Sequence, residues 1–262
     1  MSHAERLFVL AFILMISGCT GKVPQLTPIT DVTAKSELTR SILDEQNKLV
    51  GLKASGRIQI SYQGAFHNLK YAAAYKEPTY CRFDTYILFG KLASSLVLTP
   101  DSLLVHSPMT NEYLALPLED GRIVMEQGPA LPFDVNDMVN MLTGSFDLPD
   151  PESIQVAQSD KSYQLEWSQG NLHYLTAYDR KALYPKWFEA RENDSPIARI
   201  EFLGYKRIED MYRPRQVNML RFNSNDKLTL FIKKQQINPE IELDTFRLNI
   251  PRGTQRLSPQ PF

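Results

Sequence analysis

Cysteine and histidine are scarce in this chain of 262 residues, with two of the first and four of the second. Cys19 and Cys81 cannot supply the disulfide framework that holds small secreted domains together. Charge of one sign is missing too: 29 Lys and Arg face 30 Asp and Glu. That balance excludes the broad cationic field by which a chain binds nucleic acid or an anionic lipid surface without specificity. There is no long run of like charge, no repeat of fixed length and no low-complexity tract. His3, His67, His106 and His173 lack the short spacing of a metal site, and no HExxH, GxSxG, P-loop or dinucleotide glycine pattern occurs. The expectation is therefore a protein without metal or cofactor, acting by binding rather than catalysis.

What is present belongs to a folded domain: 43% hydrophobic, 23% charged and 10% aromatic residues. A chain of this size buries roughly 70 to 75% of the surface it exposes when unfolded, enough for a core without cross-links.

The first residues read as an export signal. A polar head, residues 1–6, precedes the unbroken apolar run LFVLAFILMI, residues 7–16. At about 1.5 Å per residue this run covers about 15 Å, half the hydrocarbon thickness of a bilayer, so it is a signal segment and not a spanning helix. The next residues, Ile16-Ser17-Gly18-Cys19, resemble the bacterial lipobox. That resemblance implies cleavage after residue 18 and acylation of Cys19 on sulfur and on its new amino group. Two or three acyl chains on one residue anchor a protein stably. Cys81 is then left without a partner in the chain and reads as a small core residue.

Residues 19–33, with Pro24 and Pro28 and no hydrophobic period, suit an extended tether to the membrane. One domain is expected over 34–251, followed by a tail at 252–262. Apolar positions Leu38, Ile42, Leu43 and Leu49 predict an amphipathic helix over 34–49. After Gly51 the period changes to two. Strands are predicted through 58–62, 69–75, 80–88, 94–98, 102–106 and 112–117, and again through 162–168, 172–178, 186–191, 197–206, 215–222 and 228–236. Asp134 as cap, Val135, Met138, Val139, Met141 and Leu142 as apolar side and Gly144 as stop predict a second helix. Asp147, Asp150 and Glu152, beside two prolines, read as a solvated turn. Short connections make the strands antiparallel neighbours. The fold expected is mainly β with a few helices, about eleven strands in one curved antiparallel sheet, an open barrel or a sandwich.

Such a sheet has one apolar face to cover. Ile58, Ile60, Tyr62, Tyr71, Tyr75, Leu96, Leu98, Leu103 and Val105 are the candidates for that face, with Met138, Met141 and Leu142 supplied by the covering helix. Either a ligand or the chain's own side chains can fill the space.

Three stretches resemble the LolA/LolB lipoprotein-carrier superfamily, and LolB-like lipoproteins in particular. They are the strand pair from Gly56-Arg57-Ile58 through 71–78, the span YILFGKLASSLVLTPDSLLVHSPMTNEY at 86–113, and LTLFIKKQQINPEIELDTFRLNIP at 228–251, with its Asn238-Pro239, Asp244-Thr245-Phe246 and Pro251. The segment 133–144 is similar to the family's short helix ending in glycine. The resemblance implies an eleven-stranded half-barrel closed by helices, and a cavity for acyl chains of lipoproteins or phospholipids lined by Ile58, Ile60, Tyr62, Tyr71, Leu96, Leu98, Met138, Met141 and Leu142. It also implies a delivery tip at Leu88 and Phe89, exchange with a periplasmic carrier protein, and an outer-membrane anchor facing the periplasm. Thr20 after Cys19 fits that membrane; in a single-membrane source the anchor sits in the cell membrane. The other reading from the residues is a structural or assembly lipoprotein with a self-filled core, working through protein contacts.

Overall fold

A computed structural model describes residues 25–119, 122–123 and 135–258. The signal segment, Cys19 and Asp134 lie outside the described residues, as does the side chain of Met138.

The chain opens with strand β1 (Thr27–Ile29) and helix α1 (Val32–Asn47). The Asp31 carboxylate accepts the Thr33 N–H at 3.1 Å, an N-cap that starts the helix two residues before the periodicity predicts. Six strands follow: β2 (Gly51–Tyr62), β3 (Ala65–Lys76), β4 (Tyr80–Tyr86), β5 (Leu92–Leu98), β6 (Ser102–Ser107) and β7 (Glu112–Glu119), then the short β8 (Arg122–Ile123). Helix α2 (Val135–Thr143) ends at Gly144, whose φ of +68° is open to glycine at little cost. The second half is β9 (Gln155–Gln158), β10 (Ser162–Gln169), β11 (Leu172–Asp179), β12 (Pro185–Glu192), β13 (Ser195–Leu203), a separate hairpin β14 (Lys206–Ile208) and β15 (Met211–Arg213), then β16 (Gln216–Arg221), β17 (Asp226–Ile237) and β18 (Gln255–Leu257).

Sixteen of these strands form one open sheet in the order β1-β9-β10-β11-β12-β13-β16-β17-β2-β3-β4-β5-β6-β7-β18, with β8 also on β7. Every pairing is antiparallel except β18 on β7, where Gln255 lies opposite Glu112. The long central strands carry the predicted alternation. β17 and β2 close the two halves onto each other, with Leu228 opposite Ile60 and Leu230 opposite Ile58.

The predicted count of about eleven strands falls short. β1, β8, β9, β15 and β18 have no predicted counterpart, and the strand predicted over 197–206 ends at Leu203 and touches β14 only at Lys206; each of these six strands is two to four residues long, too short for a period of two to declare itself. The mainly-β character and the single large sheet stand. Residues 27–29 of the expected tether pair along β9, and residues 255–257 of the expected tail pair along β7.

One cluster of buried side chains joins strands from both halves of the sheet, from Ile58, Tyr71, Phe83, Leu98 and Leu116 to Ile200, Val217 and Leu230, and includes Met141, Leu142 and Phe146. Residues so distant along the strand order meet because the sheet curves around them. Ile42 of α1 sits in a second cluster with Ile154, Val156, Leu165, Trp167 and Tyr178. On the opposite face Ile241 and Phe246 cover Ala74 and Val97.

Candidate functional site

The curved sheet brings most of the predicted inner-face residues together. Ile58, Tyr71, Tyr75, Leu98, Leu103, Met141 and Leu142 are buried in one cluster, and Ile60, Leu96 and Val105 pack against it half-buried. Tyr62 stands apart near the end of β2, half-buried, where its hydroxyl accepts a hydrogen bond from the Gln63 amide at 3.1 Å. Cys81 is 1% exposed and carries no disulfide; burial pushes its thiol up to about 12, so it is inert packing.

Within the cluster, Ile58, Phe83, Met141, Leu228 and Leu230 bound a cavity of about 10 Å³, room for one water at most. Beside it Tyr71 stacks on Phe83 at 5.0 Å and 8° between ring planes. The Tyr71 hydroxyl is buried and finds no hydrogen-bond partner among the described residues. Burial drives its acidity strongly down, so the phenol stays neutral and remains a donor.

A far larger groove, about 710 Å³, opens between the C-terminal end of α1, the end of α2, the β3–β4 turn and strands β10 to β12. Aromatic rings form its wall. Phe146 and Phe188 stack at 4.4 Å, and Trp167 and Tyr174, opposite each other in the β10–β11 hairpin, stack at 5.5 Å. Tyr75 and Leu49 carry the groove towards the inner cluster, to which both belong. The phenol of Tyr75 is raised, first by burial and then by the charges of Glu77 and Cys81.

Two polar side chains hold the helices that flank this groove. Gln46 of α1 donates to the Tyr178 hydroxyl at 3.1 Å and accepts the Phe146 N–H at 3.3 Å. The guanidinium of Arg213, 3% exposed, donates to the carbonyls of Leu142 and Thr143 and to Gln235. Those carbonyls are the orphans of the last turn of α2, so a cation there satisfies them and complements the helix dipole. Burial lowers its pKa to about 10, which leaves it charged at neutral pH.

Leu88 and Phe89 lie elsewhere, on the tight turn between β4 and β5. Leu88 is 81% exposed and Phe89 fully exposed, with φ of +59°. The turn is fixed by Ile87 N–H donating to the Lys91 carbonyl at 2.9 Å. Phe89 thus projects from the sheet and does not continue the strand inward. Phe66 and Met109 are also exposed, near the β2–β3 and β6–β7 turns on the same rim of the sheet.

The sequence did not single out Phe146, Trp167, Tyr174 or Phe188. Trp167 and Tyr174 share the alternation of two adjacent predicted strands and could have been found by pairing them. Phe146 follows the helix stop, and nothing local announces that it reaches Phe188.

No family model and no curated protein sequence matches the chain. Solved structures do. A DUF1329 family protein from Desulfovibrio piger aligns with TM-score 0.61 at 10% identity, over 82% of this chain and 97% of that one. A domain assigned as an outer membrane lipoprotein-sorting protein, from Vibrio parahaemolyticus, aligns with TM-score 0.55 at 10% identity over 82% and 97%. A LolA superfamily protein from Nitrosomonas europaea aligns with TM-score 0.51 at 11% identity over 80% and 97%. The fold is LolA-like. At such identities the likeness concerns the path of the chain.

Proposed function

We propose that this protein is a non-enzymatic lipoprotein of the cell envelope that binds acyl chains and passes them on, as a receptor or sorting factor for lipoproteins. The observation that carries the reading is the aromatic groove of about 710 Å³ leading to a buried apolar cluster, a volume within the range of small-molecule sites. An acyl chain gains about 0.8 kcal/mol for each CH2 it buries, so a carrier that takes lipid through water must offer such a surface. Supporting it, the fold is shared with the Vibrio lipoprotein-sorting domain and the Nitrosomonas LolA superfamily protein.

In this reading Cys19 holds the protein to the outer membrane, facing the periplasm, and a periplasmic carrier hands over the cargo. The acyl chains enter between the ends of α1 and α2 and extend towards Ile58, Tyr71, Leu98 and Met141. Leu88 and Phe89 touch the accepting membrane. A second reading rests on a different observation: the interior cavity of about 10 Å³ fits a self-filled core and a structural or assembly role through protein contacts.

Solvent extraction of the full-length protein purified in a detergent that carries no acyl ester separates the two. Release of fatty acid or phospholipid not bonded to Cys19, together with a fluorescence gain from an added polyene fatty acid, is the result expected for the carrier. A clean extract and no gain would leave the structural reading.

A further inference from the structure

The face of the sheet turned away from the apolar cluster carries a second groove, of about 740 Å³, which no step of the acyl-binding reading uses. Its floor is small: Ala72 and Ala74 of β3 and Ser55 of β2. Its rim is cationic. Lys53, Arg82, Arg215, Lys233 and Lys234 line it, against one carboxylate, Asp84.

That carboxylate is already spent. Arg82 binds it with Nε at 2.9 Å, and the Ser95 hydroxyl donates to it as well. Among the described residues Lys53 and Arg215 donate to backbone carbonyls alone, of Glu240 and Lys233 respectively. A local backbone feature builds the rest. The pairing of β17 with β2 shifts register between Ile232 and Lys234. In a regular strand two successive side chains point to opposite faces, and the extra residue of a bulge places both on one. Lys233 and Lys234 therefore both stand at the rim of this groove, both exposed. Gly56, facing the bulge, permits it: a Cβ there would lie 1.9 Å from the Phe231 carbonyl oxygen.

We propose that this groove binds the phosphate of an anionic phospholipid. Its cations outnumber its one neutralised acid, which complements a phosphate. Ala72 of the floor and Ile208, both half-buried, offer apolar contact to the glycerol and first methylenes that an inorganic ion lacks. The formal net charge of −1 conceals this because the balance holds over the whole chain and not over this face.

The test uses the full chain in nonionic micelles doped with dioctanoyl phosphatidylglycerol, with amine acylation followed residue by residue by mass spectrometry. Lys233 and Lys234 are expected to be protected at least threefold, with Lys161 and Lys181, exposed at the β9–β10 and β11–β12 turns away from the groove, unchanged. The double variant Lys233→Gln/Lys234→Gln should bind the lipid at least tenfold more weakly at an unchanged melting temperature. Equal protection by inorganic phosphate or by dioctanoyl phosphatidylcholine, protection by poly-glutamate in place of lipid, equal protection of Lys161 and Lys181, or no protection would each overturn the assignment.

Discussion

Tyr71→Phe removes one oxygen from the middle of the protein and leaves the ring that stacks on Phe83 at 5.0 Å. The residue is 2% exposed and its hydroxyl is unpartnered among the described residues. Leaving such a group unpaired costs about 1 to 3 kcal/mol of desolvation, whereas a made hydrogen bond would contribute about 1 kcal/mol. The two possibilities differ in sign. With the hydroxyl orphaned, phenylalanine should stabilise the ligand-free protein by about 1 to 3 kcal/mol. For a domain of this size that is a rise of roughly 2 to 4 °C in melting temperature per kcal/mol. Urea unfolding of delipidated protein gives the free energy directly, and the slope should stay constant because no surface changes. A loss of more than about 0.5 kcal/mol would refute the reasoning, since it would mean that the oxygen has a partner. The same substitution reports on cargo. If an acyl ester occupies the interior, its carbonyl can accept from Tyr71, and the variant's advantage should shrink or reverse on loading.

Other expectations follow from the same structure. Phe89→Glu should leave stability within about 0.5 kcal/mol, because the side chain is fully exposed, while lipoprotein transfer to liposomes falls sharply; normal transfer would end the role of the tip. Arg213→Met strips the donors from the Leu142 and Thr143 carbonyls and should cost about 3 kcal/mol by urea titration, and a neutral result would show that α2 is held by other contacts. Burial raises the pKa of Cys81 from 9.0 to about 12, and that of Tyr71 above its ordinary 10.0. The folded state then keeps protons that the unfolded chain releases, so the stability these groups contribute is complete below about pH 9 and declines from there towards pH 12. Cys81 should accordingly resist iodoacetamide until the protein unfolds. Cys19→Ser should abolish lipid labelling and leave the precursor uncleaved, and persistent labelling would disprove the anchor.

Much of the sheet was legible because long antiparallel strands announce themselves. In β3 the residues Leu69, Tyr71, Ala73 and Tyr75 face the core in strict alternation, and the pattern needs no tertiary information. The helix at 135–143 was legible from its apolar positions and its terminal glycine. Short strands were not. Thr27–Ile29 and Gln255–Leu257 pair because a long neighbour offers them a ladder, and that neighbour is distant in sequence. The aromatic groove was invisible for a related reason. Phe146 and Phe188 belong to different elements, and only the curvature of the sheet brings their rings to 4.4 Å. The paired lysines at 233 and 234 read as ordinary alternation because a bulge leaves no mark on composition.

The two margins of the sixteen-stranded sheet bear on how this molecule meets others. An open sheet normally exposes rows of unpaired amides and carbonyls onto which another chain can add a strand. Among the described residues the outermost strands are β1 and β18, of three residues each, and the two-residue β8, which shares the β7 margin with β18. Pro28 at the centre of β1 has no N–H to offer, and Arg256 at the centre of β18 is charged. Both margins are thus poor templates for growth. Short edge strands of this kind are one way in which a wide open sheet is kept from edge-to-edge pairing. Among the described residues, then, side chains on the faces and turns offer more to another molecule than backbone ladders at the margins do.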